Sequence, residues 1–161
     1  MIRQANREDV EVILEIFNYN IRHSTAIYLY EEQTYEERMS WFEEKQKAGE
    51  PVLVYEVDGK VGGYATYGKF RPHIAYQYTI ENSVYVHEDF QRRGIAKALM
   101  VKLIEEAKSR QYKTMIACID ASNEGSKRMH EKLGFGYKGT LEKVGYKFDR
   151  WLDLDLYQLE L

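Results

Sequence analysis

The stretch from Glu81 to Leu99 constrains this chain most, because a strand pattern there runs directly into a helix pattern. Val84 and Val86 alternate with Ser83 and Tyr85, which is typical of a strand with two different faces. A short polar turn follows, and apolar residues then recur at helical spacing. The sequence therefore predicts a strand, a turn and a helix in immediate succession.

The joint between that strand and helix reads QRRGIA over residues 91–96. A helix start presents unpaired backbone N–H groups and the positive end of the helix dipole in one direction. Two arginines add positive charge, and Gly94 has no Cβ to hold a bound group away. These features predict a cradle for a diphosphate. An ordinary helix start with solvated arginines is the alternative, because glycine is common in such turns.

Two common phosphate-binding sequences are absent, the G-x-G-x-x-G fingerprint and the G-x-x-x-x-G-K-[ST] loop. The length of 161 residues suits a single domain over residues 1–161 with a core of its own. A net charge of −3 offers no general attraction to nucleic acid, so we expect no nucleic-acid partner.

Three features that the sequence lacks predict the cellular location. No apolar run approaches the roughly 20 residues that span a bilayer, and the first residues lack the apolar region of a signal peptide. The one cysteine, Cys118, excludes an intramolecular disulfide, which agrees with a reducing compartment. We expect a cytoplasmic protein without a membrane partner.

The order of elements predicts an α/β (α+β) fold. The patterns give strands at 2–5, 52–57, 61–69, 75–87, 113–119, 135–139 and 150–159, and helices at 6–23, 34–48, 94–110 and 123–133. Three consecutive central strands predict an antiparallel meander, and the strand–helix–strand unit over 80–119 predicts a right-handed parallel crossover. We therefore expect a mixed sheet with helices on both faces. Within the third strand, Gly62 and Gly63 predict a bulge or a close approach by another group.

The sequence of the joint and the order of the elements both resemble those of a known protein family. The segment QRRGIA resembles the [QR]-x-x-G-x-[GA] acetyl-coenzyme A motif of the GNAT N-acetyltransferases, whose fold has the same order of elements. The segments HSTAIY, YGKFRP, TIENSVYV, SKRMHEKLGF and GYKFDRWLDLDLYQLEL resemble the phosphinothricin and methionine sulfoximine N-acetyltransferase branch over nearly the whole chain. Ala96 replaces the second glycine of many members, which the motif allows.

The resemblance implies acetyl-coenzyme A as co-substrate, held between two splayed parallel strands of a mixed, mostly antiparallel sheet. It implies that the pantetheine pairs with the backbone of Val84, Tyr85 and Val86, and that Asn123 reaches the pantetheine arm. The diphosphate is implied to contact Arg92, Arg93, Gly94, Ile95, Ala96 and Lys97.

Acetyl transfer to an amine requires a neutral amine, a polarised carbonyl, a held geometry and a proton for the leaving thiolate. Glu81 is the candidate base, because it alternates in phase with Ser83 and Tyr85 and matches the glutamate proposed for the family. A solvated strand carboxylate is the alternative. The backbone N–H of Val86 is the candidate stabiliser of the oxyanion.

His130 is the candidate acid for the leaving thiolate, since it stands where many GNAT proteins place a tyrosine and histidine donates protons near neutral pH. A structural histidine is the alternative, and Tyr137 is the second candidate acid.

Substrate contacts are also implied by the resemblance, at Arg71, Pro72, His73, Glu81, Asn82 and Ser83. Arg71 can bind a carboxylate bidentately, or belong to a solvated loop. Tyr28, Tyr30 and Phe70 are expected to close the pocket. The resemblance implies a homodimer, in which Trp151 packs in the interface or in the core.

No metal site is expected, because the four histidines have no ligand spacing and no second cysteine exists. Cys118 lies in an apolar strand and is expected to be an inert core thiol. With no activated nucleophile, we expect direct attack by the α-amine of a small amino-acid analogue such as phosphinothricin or methionine sulfoximine. A peptide or protein acceptor, and a non-catalytic coenzyme A-binding module, are the alternatives.

Overall fold

Apolar side chains alternate along the central strands and divide the sheet into two buried faces. The computed structural model describes all 161 residues. The strands are β1 (Ile2–Gln4), β2 (Val52–Val57), β3 (Lys60–Lys69), β4 (Thr79–Val86), β5 (Thr114–Asp120), β6 (Gly136–Lys147) and β7 (Arg150–Glu160). The helices are α1 (Val10–His23), α2 (Tyr35–Ala48), α3 (Ile95–Ser109) and α4 (Glu124–Lys132). No helix has both the length and the apolar character needed to cross a membrane.

The seven strands form one sheet in the order β1-β2-β3-β4-β5-β7-β6. Every neighbouring pair is antiparallel except β4 and β5, which pair in parallel only between residues 79–81 and 114–116. Beyond that point β4 continues to Val86 and β5 to Asp120 without pairing to each other. The predicted mixed sheet with a splayed parallel pair is therefore confirmed.

Helices cover both faces of the sheet, as predicted. One face packs against α1 and α2 through a buried cluster that contains Ile13, Phe42, Val54 and Tyr64. The opposite face packs against α3 through a larger cluster in which Leu99 is fully buried. Burial of one such side chain contributes about 1.5–3 kcal/mol.

The glycine pair of β3 is explained by a close approach of α3 and its preceding turn. A Cβ on Gly62 would lie 3.0 Å from the Phe90 ring, and a Cβ on Gly63 would lie 3.0 Å from Cγ2 of Ile95. The pairing of β3 with β2 also shifts register between Tyr55 and Glu56, where Gly62 has no partner. The predicted close approach and the predicted bulge are therefore both present.

Two strand boundaries differ from the sequence prediction. β4 begins at Thr79 and not at residue 75, because residues 74–76 form a short 3-10 turn that is exposed to solvent. β6 extends to Lys147 and not to residue 139, and its pairing with β7 shifts register between Tyr137 and Gly139 and again between Leu141 and Gly145. These irregularities interrupt the alternation that would otherwise reveal a strand.

Candidate active site

A cleft opens where β4 and β5 diverge. It encloses about 150 Å³ and is lined by residues 81–85 of β4, residues 117–120 of β5, the start and inner side of α4, and Ala26 of the loop after α1. Because the two strands no longer pair, the backbone groups on their facing edges have no strand partner. The cleft therefore offers unpaired amide and carbonyl groups as well as side chains.

The alternation of each strand gives the cleft two chemically different sides. Glu81, Ser83 and Tyr85 point towards α1 and α2, where Tyr85 packs against the apolar clusters of those helices. Asn82 and Val84 point towards α3 and α4. The carboxylate of Glu81 and the amide of Asn82 thus lie on opposite sides of the same strand.

Glu81 is half-buried at the last paired position of β4, opposite Ile116 of β5. Burial raises the pKa of its carboxyl group, and interaction with the Cys118 thiol partly opposes that rise. A carboxylate with a raised pKa is a better proton acceptor than a solvated one. This geometry does not fit the alternative of a freely solvated strand carboxylate.

Cys118 lines the cleft and is half-buried, so the expectation of a core position is wrong. The strand alternation turns its thiol to the Glu81 side, away from the core cluster that contains Ala117 and Ile119. Burial and the neighbouring negative charge of Glu81 raise the pKa of this thiol to about 12. The thiol is protonated at neutral pH and is not an activated nucleophile.

His130 projects from α4 and is only 2% exposed. Its Nδ1 lies 2.8 Å from the Ser126 carbonyl oxygen and its Nε2 lies 3.1 Å from Nδ2 of Asn82. These contacts assign the proton to Nδ1, so that Nε2 accepts from the amide. Burial lowers the pKa of the ring. A neutral ring with its one N–H engaged by a carbonyl disfavours the proton-donor role predicted for His130.

Tyr137, the second candidate acid, lies on β6 away from the cleft walls and is 55% exposed. Its hydroxyl is 2.6 Å from Oγ1 of Thr140, and its ring packs edge-on against Tyr157.

The turn before α3 has the features predicted for a diphosphate cradle. The first helical bond runs from the Ala98 N–H to the Gly94 oxygen at 3.1 Å, which leaves the three preceding amides without a helical acceptor. Gly94 has a φ of 73° and open space where a Cβ would stand. The side chains of Arg92, Arg93 and Lys97 are exposed around it.

The loop that contains Arg71, Pro72 and His73 does not line the cleft. These residues border a neighbouring depression of about 140 Å³ between β3, β4 and the end of α2. The guanidinium of Arg71 lies 5.2 Å from the Phe70 ring, and its charge still acts on the Cys118 thiol, whose pKa it lowers. The structure thus unites Glu81, Asn82 and Ser83 in one cleft, with the Arg71 loop at its side.

Asp120 is a site residue that the sequence reasoning missed. It is 5% exposed, lines the cleft at the end of β5, and accepts hydrogen bonds from the Tyr28 hydroxyl at 2.6 Å, Oγ1 of Thr25 at 2.9 Å and the Ser122 side chain. Burial alone would raise its pKa, but these hydrogen bonds outweigh it and hold the pKa below its usual range. The sequence feature that could have identified Asp120 is its position at the end of an apolar strand, directly before Ala-Ser-Asn.

The charge of the cleft is negative. Glu81 and Asp120 are its acidic residues, and no lysine or arginine is among the lining side chains. The structure contains no group of three or more His, Cys, Asp or Glu side chains placed to hold a metal ion. A cationic group is therefore favoured in the cleft over an anionic one.

Residues 16–135 match the acetyltransferase (GNAT) family. The chain belongs to this family. It is 41% identical over 160 residues to an L-methionine sulfoximine/L-methionine sulfone acetyltransferase of Salmonella typhimurium, with 99% of this chain and 94% of that protein covered. It is 35% identical to a phosphinothricin N-acetyltransferase of Streptomyces viridochromogenes, with 98% of this chain and 85% of that protein covered.

The GNAT fold is equally clear in three dimensions. A solved structure of an acetyltransferase from Salmonella typhimurium with its cofactor acetyl-CoA superposes with a TM-score of 0.98. That comparison covers 100% of this chain and 93% of the other, at 40% identity. The protein is therefore an acetyltransferase of the GNAT family, and its splayed strands are the framework of that fold.

Proposed function

We propose that this protein transfers the acetyl group of acetyl-coenzyme A to the α-amine of a small amino-acid analogue, of the methionine sulfoximine, methionine sulfone or phosphinothricin type. The reaction proceeds by direct attack of the amine. The observation that carries the proposal is the half-buried Glu81 carboxylate beside the gap between β4 and β5. The names of the relatives support the acceptor class.

The residues present fit the pantetheine and diphosphate parts of acetyl-coenzyme A. The unpaired edge of β4 offers the backbone groups of Val84 and Val86 to the pantetheine amides, whereas those of Tyr85 face β3, and Asn123 borders the same cleft. The free amides at the start of α3 and the side chains of Arg92, Arg93 and Lys97 suit a diphosphate. Bound there, the co-substrate supplies an activated thioester.

Glu81 is the proposed general base. An α-ammonium group is mostly protonated at neutral pH, so it must lose a proton before it can attack. The raised pKa of Glu81 brings its carboxylate closer to the range in which proton acceptance is efficient at neutral pH. The negative charge of the cleft also attracts the ammonium form before it loses that proton.

The backbone N–H of Val86 is the proposed oxyanion donor. The N–H of the next residue, His87, donates to the Gly62 oxygen at 2.8 Å across the β3 edge. Because antiparallel strands alternate the direction of their amides, the Val86 N–H points to the opposite edge, into the gap beside β5. A donor fixed in a strand needs no rearrangement as charge develops on the thioester oxygen.

No dedicated acid is needed in this scheme. A thiol has an ordinary pKa near 8.5, so its anion leaves readily and takes up a proton from the amine or from water. His130 instead holds Asn82 in place through its Nε2.

Arg71 is proposed to bind the α-carboxylate of the acceptor from the side of the cleft, with Pro72 and His73 shaping the same loop. Its guanidinium is not paired with any acidic side chain, and its charge already reaches Cys118. A planar guanidinium suits a carboxylate bidentately. Ser83 and Asn82 are proposed to complete the acceptor contacts.

We also propose that the protein is a homodimer that associates through β6 and β7. β6 is a 12-residue strand at the open edge of the sheet. Six large apolar side chains of this hairpin are 44–63% exposed: Leu141, Val144, Tyr146, Phe148, Trp151 and Tyr137. A long apolar edge pairs readily with a copy of itself. Light scattering of the native protein, of Trp151→Lys and of the control Val101→Lys on α3 measures the molecular mass in solution and thus the oligomeric state.

The test of the activity is thiol release from acetyl-coenzyme A with a panel of acceptors: methionine sulfoximine, methionine sulfone, phosphinothricin, common amino acids and peptides. We expect turnover confined to the amino-acid analogues. Glu81→Gln should lose at least about 100-fold in kcat, whereas Glu11→Gln, an exposed carboxylate of α1, should not. Turnover of peptides alone would replace the acceptor, and tight cofactor binding without any turnover would indicate a binding module.

A further inference from the structure

The loop that follows α1 forms part of the cleft wall although it has no regular secondary structure. We call residues 24–30 the strap. Ala26 lines the cleft directly, and Ile27 belongs to a buried cluster against which Tyr85, another lining residue, packs. The strap lies on the same side of β4 as Glu81. An acceptor that reaches Glu81 therefore meets this wall.

Lys147, the last residue of the edge strand β6, holds the strap. Its Nζ donates to the Ser24 oxygen at 2.8 Å and to the Ile27 oxygen at 2.6 Å. The residue is only 4% exposed, and no carboxylate pairs with it. Burying an ammonium group without a counterion is energetically costly. The two carbonyl contacts therefore indicate that Lys147 has a specific role in holding the strap.

Further contacts tie the strap to the same hairpin and to the cleft. The Tyr28 and Thr25 hydroxyls donate to Asp120 at 2.6 and 2.9 Å. The Tyr28 ring lies against Gly145, where a Cβ would stand 2.7 Å from its Cε2. The Tyr30 hydroxyl donates to the Tyr146 oxygen. The strap is therefore held both by the β6–β7 hairpin and by the end of β5.

We propose that Lys147 is a positioning residue for the acceptor: by fixing the backbone of the strap, it sets the wall that the acceptor contacts opposite Glu81. The inference rests on the proposed function for its kinetic consequence. Its structural part, the fixing of the strap, stands independently. The hydrogen bonds of Lys147 go to the strap alone, and none joins it to the start of α3, where the diphosphate is proposed to bind, so the acceptor KM should change more than the KM of acetyl-coenzyme A.

The decisive variant is Lys147→Met, which keeps an apolar stem of similar length and removes the three donors. Lys47→Met is the matched control, because Lys47 is exposed on α2, outside the strap and the proposed dimer interface. Tyr28→Phe is a second, milder variant that removes one hydroxyl and keeps the ring. Each protein is assayed for the KM of L-methionine sulfone and of acetyl-coenzyme A, and for hydrogen exchange of the amides of residues 24–30.

We expect the acceptor KM to rise about tenfold or more in Lys147→Met and a few-fold in Tyr28→Phe, since charged hydrogen bonds are stronger than neutral ones. The KM of acetyl-coenzyme A should change less than about twofold. Strap amides should exchange faster in Lys147→Met than in Lys47→Met. Equal changes in both KM values, or unaltered exchange in the strap, would overturn the proposal. If the native protein acetylates no amino-acid analogue, the proposed function fails and the exchange measurement alone decides the role of Lys147.

Discussion

The side-chain amide of Asn82 and the ring of His130 form a buried pair across the base of the cleft, with Nδ2 and Nε2 3.1 Å apart. Asn82 is 8% exposed and His130 is 2% exposed. The pair joins β4 to α4 on the side opposite Glu81. It therefore connects the two arms of the cleft just beyond the point where the strands stop pairing.

This pair makes stability depend on pH in a defined direction. Burial lowers the pKa of His130 in the folded protein, whereas the unfolded chain titrates near 6.5. The unfolded state consequently binds more protons below that pH, so stability is full above pH 6.5 and decreases as the pH falls towards the folded pKa. We expect the free energy of unfolding to fall by about 1 kcal/mol between pH 7.5 and 5.5 on account of this group.

Urea unfolding at the two pH values measures the effect. His130→Gln should remove this part of the pH dependence, and His23→Gln, an exposed histidine at the end of α1, should keep it. An identical pH dependence in native protein and His130→Gln would show that the buried ring does not titrate as described.

Cys118 is predicted to tune the base and not to react. Its thiol interacts with the Glu81 carboxylate and lowers the pKa of Glu81 against the effect of burial. Activity requires the carboxylate, so it declines as the pH falls through that pKa. Cys118→Ala should move the acidic limb of the kcat/KM profile to higher pH, because the opposing interaction is lost.

The pH profile of kcat/KM with L-methionine sulfone is the measurement. The plateau of Cys118→Ala should stay within about twofold of the native value, since no covalent step uses the thiol. A large loss on the plateau, with the limb unmoved, would argue for a covalent role of Cys118.

Much of the fold could be predicted because local signals and tertiary structure agree. Thr34 and Glu37 form the predicted capping box, with reciprocal bonds of 3.1 and 2.9 Å. Gly49 ends α2 with a φ of 72°, as a glycine after a helix does. The splay of β4 from β5 could not be read from either strand alone, because pairing partners lie far apart in sequence.

The site was predictable where it lies on a regular strand and less so elsewhere. Alternation alone places Glu81 and Ser83 on one face of β4. The contacts of Asp120 with Tyr28, and of Lys147 with Ser24, join residues more than 90 positions apart. No periodic pattern in the sequence indicates such contacts. His130 was identified by residue type, but only its hydrogen bonds reveal that its N–H is engaged.

The packing around Gly63 in β3 and Gly125 in α4 predicts opposite effects for two similar substitutions. Gly63→Ala places a methyl group 2.9 Å from the Tyr85 oxygen and 3.0 Å from Cγ2 of Ile95, and we expect a loss of about 1–3 kcal/mol in unfolding free energy. Gly125→Ala, in the first turn of α4, meets no atom closer than 4.0 Å and should stabilise by up to about 1 kcal/mol. Urea unfolding distinguishes the two, and destabilisation of equal size would contradict the packing argument.

The charged turn before α3 predicts that acetyl-coenzyme A binding depends on salt concentration. Arg93 is exposed beside the free amides of α3, with its guanidinium 5.1 Å from the Phe90 ring, which limits its freedom. If it contacts the diphosphate, Arg93→Gln should weaken acetyl-coenzyme A binding several-fold at low ionic strength, because exposed charges interact strongly only where salt does not screen them. The difference from native protein should shrink at about 1 M salt, where the screening length is about 3 Å. Calorimetric titration at both ionic strengths measures this, with Arg7→Gln as control, since Arg7 pairs with Glu43 on the surface. A loss of affinity that is the same at both salt concentrations would indicate that Arg93 acts through the shape of the turn and not through its charge.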